Sequence, residues 1–104
     1  IEPLDISTIF GNALDNAIEA SEKLSEDMRL ITVRANRVRN MLVIIVENNT
    51  ASTSPETKGT TKKDTFAHGF GLSNIKNAVE KYDGQYSTKL ENRMFTLKIL
   101  IPIP

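Results

Sequence analysis

Asn12 and Asn16 stand four residues apart in a stretch whose apolar side chains recur at every third or fourth position, so their amides project from one face of a helix. Asparagine is a mediocre helix former because its amide competes for backbone partners, and two at this spacing need an explanation. One reading is a solvated helix face, turned away from the apolar stripe. The other is an oxygen ligand, since an Asn carbonyl coordinates Mg²⁺ without charge while phosphate oxygens complete the octahedron. Gly69 and Gly71 flank Phe70 immediately ahead of a second apolar-periodic run. Glycine there permits close backbone approach, and the N–H groups that open a helix attract phosphate; a flexible turn is the plain alternative. Lys58, Lys62, Lys63 and His68 precede these glycines, cations placed where a polyphosphate would need screening. Asn48 and Asn49 close an apolar run and open a loop, a frequent place for site residues and for ordinary turns alike.

These residues need elements to hold them. Ile6, Ile9, Phe10, Ala13, Leu14, Ala17, Ile18 and Leu24 predict an amphipathic helix over about residues 5–25, with Asp5 or Ser7 capping its start and Ser25 with Asp27 ending it. Residues 30–38 and 41–47 are rich in Ile and Val around Arg37, Arg39 and Asn40, and predict an antiparallel hairpin. Its second strand, continuously apolar from Leu42 to Val46, should be central and the more buried. Residues 49–68 are rich in Ser, Thr and Lys and form a lid-like loop, long enough that its length is itself a clue to function. Leu72, Ile75, Ala78, Val79 and Tyr82 line one face of a second helix ended by Asp83-Gly84. Residues 85–90 and 94–101 then predict a second hairpin, with Phe95, Leu97, Ile99 and Ile101 on one face of the last strand and Pro102 and Pro104 terminating it. The order helix, hairpin, loop, helix, hairpin implies an α+β fold: a two-layer α/β sandwich with an antiparallel or mixed sheet and both helices on one face.

Composition narrows the function. The 104 residues are one domain's worth of chain, and 13 Lys plus Arg balance 13 Asp plus Glu to a net charge of zero, which disfavours nucleic acid as a partner. No cysteine and a single histidine leave no disulfide, thiolate chemistry or His-cluster metal site within the chain. No apolar run reaches the roughly 20 residues of a membrane span. The chain opens on Ile1 and not Met, and reads as a piece of something longer.

Taken in order, these motifs resemble the GHKL superfamily of ATP-binding domains, with the Bergerat fold, and within it the catalytic domain of bacterial sensor histidine kinases. FGNALDNAIEAS at residues 10–21 is similar to the family's N box, VENNTAS at 46–52 sits where the first glycine box belongs, and HGFGLSNIKNAVEKYDG at 68–84 resembles the second glycine box and its helix. The HGFGL form and short length most resemble the peptide- and quorum-sensing kinases of the accessory-gene-regulator type. The resemblance implies ATP and Mg²⁺ as cofactors, Asn16 as the metal ligand and Asn12 as a supporting polar residue in the same catalytic site. It implies nucleotide contact from Asn48, Lys62, Lys63, His68, Gly69, Gly71 and Leu72, with Asn48 facing the adenine. In most relatives the Asn48 position is Asp; an Asn carbonyl accepts the same hydrogen bond more weakly. Thr50 and Ser52 replace the box's usual glycines, and Glu19 stands where many histidine kinases carry a basic residue. ATP-hydrolysing relatives place a Glu one helical turn before the metal Asn, and here that position is Asn12, with no general base. The implied reaction is therefore passage of the ATP γ-phosphoryl group to a His on a separate dimerisation domain, with a response regulator downstream. The parent would be a membrane-bound sensor with this domain in the cytoplasm, monomeric when isolated. A nucleotide-binding regulatory module without phosphotransfer and a GHKL ATPase are the alternatives.

Overall fold

Helix α1 runs over Pro3–Glu22, and its buried residues Ile9, Ala13, Ala17 and Ser21 repeat at intervals of four along one stripe. In this computed structural model, which describes residues 1–51 and 71–103, α1 begins earlier than its polar residues predict. Neither Asp5 nor Ser7 caps it. Pro3 occupies the first turn, where a fixed φ suits the helix and a missing N–H costs nothing, while the N–H groups of Asp5 and Ile6 bond the Glu2 carbonyl. Ser25 and Asp27 likewise do not end α1. The Ser25 hydroxyl donates to Asp27 at 2.8 Å in a separate 3₁₀ turn, Glu26–Met28, and the Arg29 guanidinium donates to the carbonyl of Leu24 just beyond the helix.

Strands β1 (Ile31–Val38) and β2 (Met41–Asn49) form the first hairpin, with Val38 opposite Met41 and Arg39 at positive φ in the two-residue turn. Helix α2 covers Gly71–Glu80, ending before Tyr82, and β3 (Gln85–Glu91) and β4 (Met94–Pro102) form the second hairpin. Asn92 and Arg93 both take positive φ there, as a two-residue turn matched to strand twist requires. The sheet has the order β1-β2-β4-β3 and every pairing is antiparallel, which settles the antiparallel-or-mixed alternative. β2 is central and β1 is an edge, so β2 buries Ile44, Val46 and Asn48 while most of β1 stays exposed.

Both helices cover one face. Ile9, Ala13 and Ala17 of α1 and Ile75, Ala78 and Val79 of α2 share a single core with Ile44, Val46, Leu97, Ile99 and Ile101. Between α2 and β3 the backbone passes close under β4: a Cβ at Gly84 would lie 2.5 Å from the Leu100 carbonyl oxygen and 2.9 Å from Val79. The left-handed residue of that turn is Asp83, so Gly84 is needed for space and not for its dihedral freedom.

The helices are antiparallel and tied at their far end. The Asp5 carboxylate accepts from the Tyr82 hydroxyl and, at 3.0 Å, from the Lys81 ammonium. The Tyr82 oxygen in turn accepts the Glu2 N–H at 3.1 Å, and Lys81 lies 5.7 Å from the Tyr82 ring centroid. Among the described residues no helix is long and apolar enough to cross a membrane.

Candidate functional site

Seven residues along α1 from Asp5, Asn12 meets Asn74, seven residues back along α2 from Lys81. The two helices thus keep step, and one further turn, about 6 Å, carries α1 to Asn16, while α2 begins at Gly71, three residues before Asn74. The second asparagine of α1 therefore lies toward the end of the helix pair at which α2 begins. No acidic side chain occupies the first turn of α2, where the positive end of its dipole lies.

The asparagines do not lie opposite the apolar stripe as the sequence spacing predicted. Both are half-buried on its flank, and that of Asn12 faces α2. The amide of Asn12 is engaged: its Nδ2 donates to the Thr8 carbonyl at 2.7 Å and its Oδ1 accepts from Asn74 Nδ2 at 3.4 Å. Asn16 is half-buried on the same flank, and Glu19, one turn on, is exposed.

β2 brings a third amide to this end. Asn48 is 2% exposed on the helix-covered face and donates to the Asn49 carbonyl at 3.0 Å. Its cross-strand neighbour Ile31 shares with Ile18, Ser21, Glu22, Arg29 and Leu30 the walls of a groove of about 420 Å³, so the C-terminal half of α1 and the end of β2 lie together. Ser21 is 5% exposed, and its hydroxyl has no partner among the described residues. Asn49 is structural: its amide donates to the Met28 carbonyl and its backbone N–H to Leu30, while the Thr50 N–H bonds Arg93. These bonds anchor the strand end before the loop departs.

Leu72 packs half-buried against the core in the first turn of α2. Lys58, Lys62, Lys63, His68, Gly69 and the 52–68 part of the loop lie outside the described residues. Asn74, and the set of Asp5, Lys81 and Tyr82, were not singled out from sequence. The signal for Asn74 was the one that flagged Asn12, a polar residue with poor helix propensity inside a short helix.

Among the described residues, the titratable groups with displaced pKa values lie at the other end. The Tyr82 hydroxyl and then Lys81 hold the Asp5 carboxyl below its ordinary value, and Asp5 raises both Lys81 and Tyr82. The open end instead offers neutral amides and a helix N-terminus, and no cluster of His, Cys, Asp or Glu suited to a metal occurs among the described residues. Such a donor set fits a metal-nucleotide: phosphate on the α2 N–H groups, and a cation held by phosphate oxygens with an uncharged amide from Asn16.

The catalytic domain of the histidine kinase ThkA, in a nucleotide-free form, superposes with a TM-score of 0.75 at 21% identity over 97% of this chain and 68% of that one. The Acinetobacter baumannii histidine kinase AdeS matches at 0.71 and 17% identity, over 95% of this chain and 46% of that one. A histidine kinase domain from the Erythrobacter litoralis blue-light activated kinase matches at 0.72 and 14%, again over 95% and 46%. The chain thus spans about half the length of two of these structures. A search of curated proteins returns no match. The GHKL domain family matches residues 1–102, nearly the whole chain, and the chain belongs to that family.

Proposed function

We propose that this chain is the ATP-binding catalytic domain of a two-component sensor histidine kinase. The observation that supports the reading is the register of the helix pair, in which Asn12 meets Asn74 and Asn16 follows one turn nearer the end where α2 begins. Bound Mg·ATP would supply the γ-phosphoryl group and the divalent charge that neutralises it. Asn16 would offer its carbonyl to the metal, the N–H groups opening α2 at Gly71 would face phosphate oxygens, and buried Asn48 would accept from the adenine amino group. Lys62, Lys63, His68, Gly69 and Leu72 complete the nucleotide contacts on this reading.

Transfer is favoured over hydrolysis by Asn12. It sits one turn before Asn16, where an activating carboxylate would be needed, and its amide is spent on Thr8 and Asn74. With an amide and not a carboxylate at that position, catalysis on this reading rests on positioning and charge stabilisation, and the nucleophile comes from outside. That nucleophile would be a His on a dimerisation domain of the same kinase, with a response regulator as the next acceptor. The resemblance of the HGFGL run supports a reading within the peptide- and quorum-sensing kinases. On this reading residues 1–104 form a single domain on the cytoplasmic side of a membrane receptor, monomeric in isolation.

Calorimetric titration with a non-hydrolysable ATP analogue, with and without Mg²⁺, tests the site. Binding should strengthen with Mg²⁺, and Asn16→Ala should abolish the strengthening without changing the melting temperature. No binding at millimolar analogue, a ceiling of about 4 kcal/mol, would overturn the reading. Radiolabel from ATP appearing on the His of an added dimerisation domain identifies the kinase; binding without transfer favours the regulatory module, and steady phosphate release that is lost in Asn16→Ala favours an ATPase.

A further inference from the structure

We infer that Asn74 is a positioning residue: its side chain orients Asn12 and sets the spacing between Asn16 and the N-terminus of α2, and through that spacing it governs how well the site holds a metal-bound nucleotide. The inference rests on the nucleotide reading above and assigns a role to a residue which that reading does not use.

The orientation of the Asn12 amide is determined by its partners. The Thr8 carbonyl can only accept, so the NH₂ of Asn12 faces Thr8 at 2.7 Å, and the carbonyl oxygen is left facing α2. There it meets the NH₂ of Asn74 at 3.4 Å. Among the described residues this is the one side-chain hydrogen bond between the two helices near the open end; the other bonds between them gather at Asp5, Lys81 and Tyr82, two turns away along α1. The pair is thus braced at two levels that differ in kind. The far brace is ionic, with two groups converging on one carboxylate. The near brace is a long amide-to-amide contact on an exposed side chain, too weak to contribute much stability and placed one turn below the gap between Asn16 and Gly71. A contact of this strength at that place orients; it does not hold the fold together. Loss of the Asn74 donor frees the Asn12 carbonyl to turn toward water and removes the lateral restraint nearest the gap. A ligand bridging both sides of the gap, with metal on Asn16 and phosphate on α2, senses that change more than a ligand touching one side.

The test compares three variants of this chain by calorimetry with the ATP analogue, with and without Mg²⁺, alongside thermal melts. Asn74→Ala should lose tenfold or more of the Mg²⁺-dependent gain in affinity, with Mg²⁺-free binding and the melting temperature unchanged. Asn74→Asp, isosteric but without the donor, should lose as much. Tyr82→Phe, at the far brace, should lower the melting temperature and keep the Mg²⁺-dependent gain. A wild-type gain that survives in both Asn74 variants overturns this inference and leaves the nucleotide site standing. Equal loss of Mg²⁺-dependent and Mg²⁺-free binding, or a fall in melting temperature matching Tyr82→Phe, also overturns it, because Asn74 would then be structural. If the wild-type chain binds no analogue, the nucleotide reading itself fails and takes this inference with it.

Discussion

The two ends of the helix pair use opposite chemistry. At the closed end, where α1 begins and α2 finishes, Asp5, Lys81, Tyr82 and the Glu2 backbone satisfy one another, and the chain presses so tightly past Gly84 that no side chain fits. At the open end, where α1 finishes and α2 begins, the asparagine side chains are neutral, the Ser21 hydroxyl is buried without a partner among the described residues, and the first turn of α2 carries no acidic residue. A polar set complete within itself holds structure. A polar set left incomplete at a buried location awaits a partner, because unpaired buried polar groups are costly and are kept only where something satisfies them. On the proposed reading, the difference separates the end that maintains the fold from the end that binds.

The largest effect should come from breaking the closed end sterically. Gly84→Ala sets a methyl 2.5 Å from the Leu100 carbonyl and 2.9 Å from Val79, and should cost about 2 kcal/mol or more in chemical denaturation. Nucleotide affinity, measured where the variant is still folded, should not change. A stability loss under about 0.5 kcal/mol, within the range of ordinary surface substitutions, would show that β3 shifts freely and that the end is less rigid than it looks.

Asn48→Asp sharpens the contrast at the open end. A carboxylate accepts more strongly from an adenine amino group, so affinity for the analogue should rise by about tenfold, of the order of 1 kcal/mol for a charged acceptor. The same charge on a side chain 2% exposed should lower stability without ligand, as buried carboxylates do when unpaired. Binding and stability would then move in opposite directions. If both fall, Asn48 does not face the base.

The smallest effect belongs to Asp5→Asn, and its signature is its pH dependence. The Asp5 pKa is lowered in the folded chain, so its contribution is complete above the ordinary value of 3.8 and is lost as pH falls through the lower folded value. Lys81 and Tyr82 are raised, so their contributions are complete below 10.5 and 10.0 and are lost as pH rises through the folded values. Melting temperatures of wild type and variant should therefore differ across the neutral range and converge toward both extremes. A difference that stays constant from pH 3 to 11 would mean that the ionic bonds contribute nothing.

Much of this was legible in order and in period. Spacing of three and four marked the buried faces of both helices, alternation marked Leu97, Ile99 and Ile101, and the apolar run at Leu42 to Val46 marked the central strand, because burial repeats with the backbone's own geometry. The helix boundaries were not legible. Asp5 looks like a cap by residue type, but Tyr82 and Lys81, more than 70 residues away, claim its carboxylate, and Pro3 starts the helix instead.

By itself, then, the sequence determined the α+β class, the elements, the faces they bury and which asparagines could bear chemistry, since each follows from local periodicity and side-chain type. The tertiary structure alone decided that Asn12 is spent on Asn74, that the helices run antiparallel with Asn16 toward the end where α2 begins, and that Asn48 is buried under the helix-covered face. Those facts depend on how two helices slide along one another over a common sheet, and that register is set by contacts between residues far apart in the chain, which no local spacing encodes.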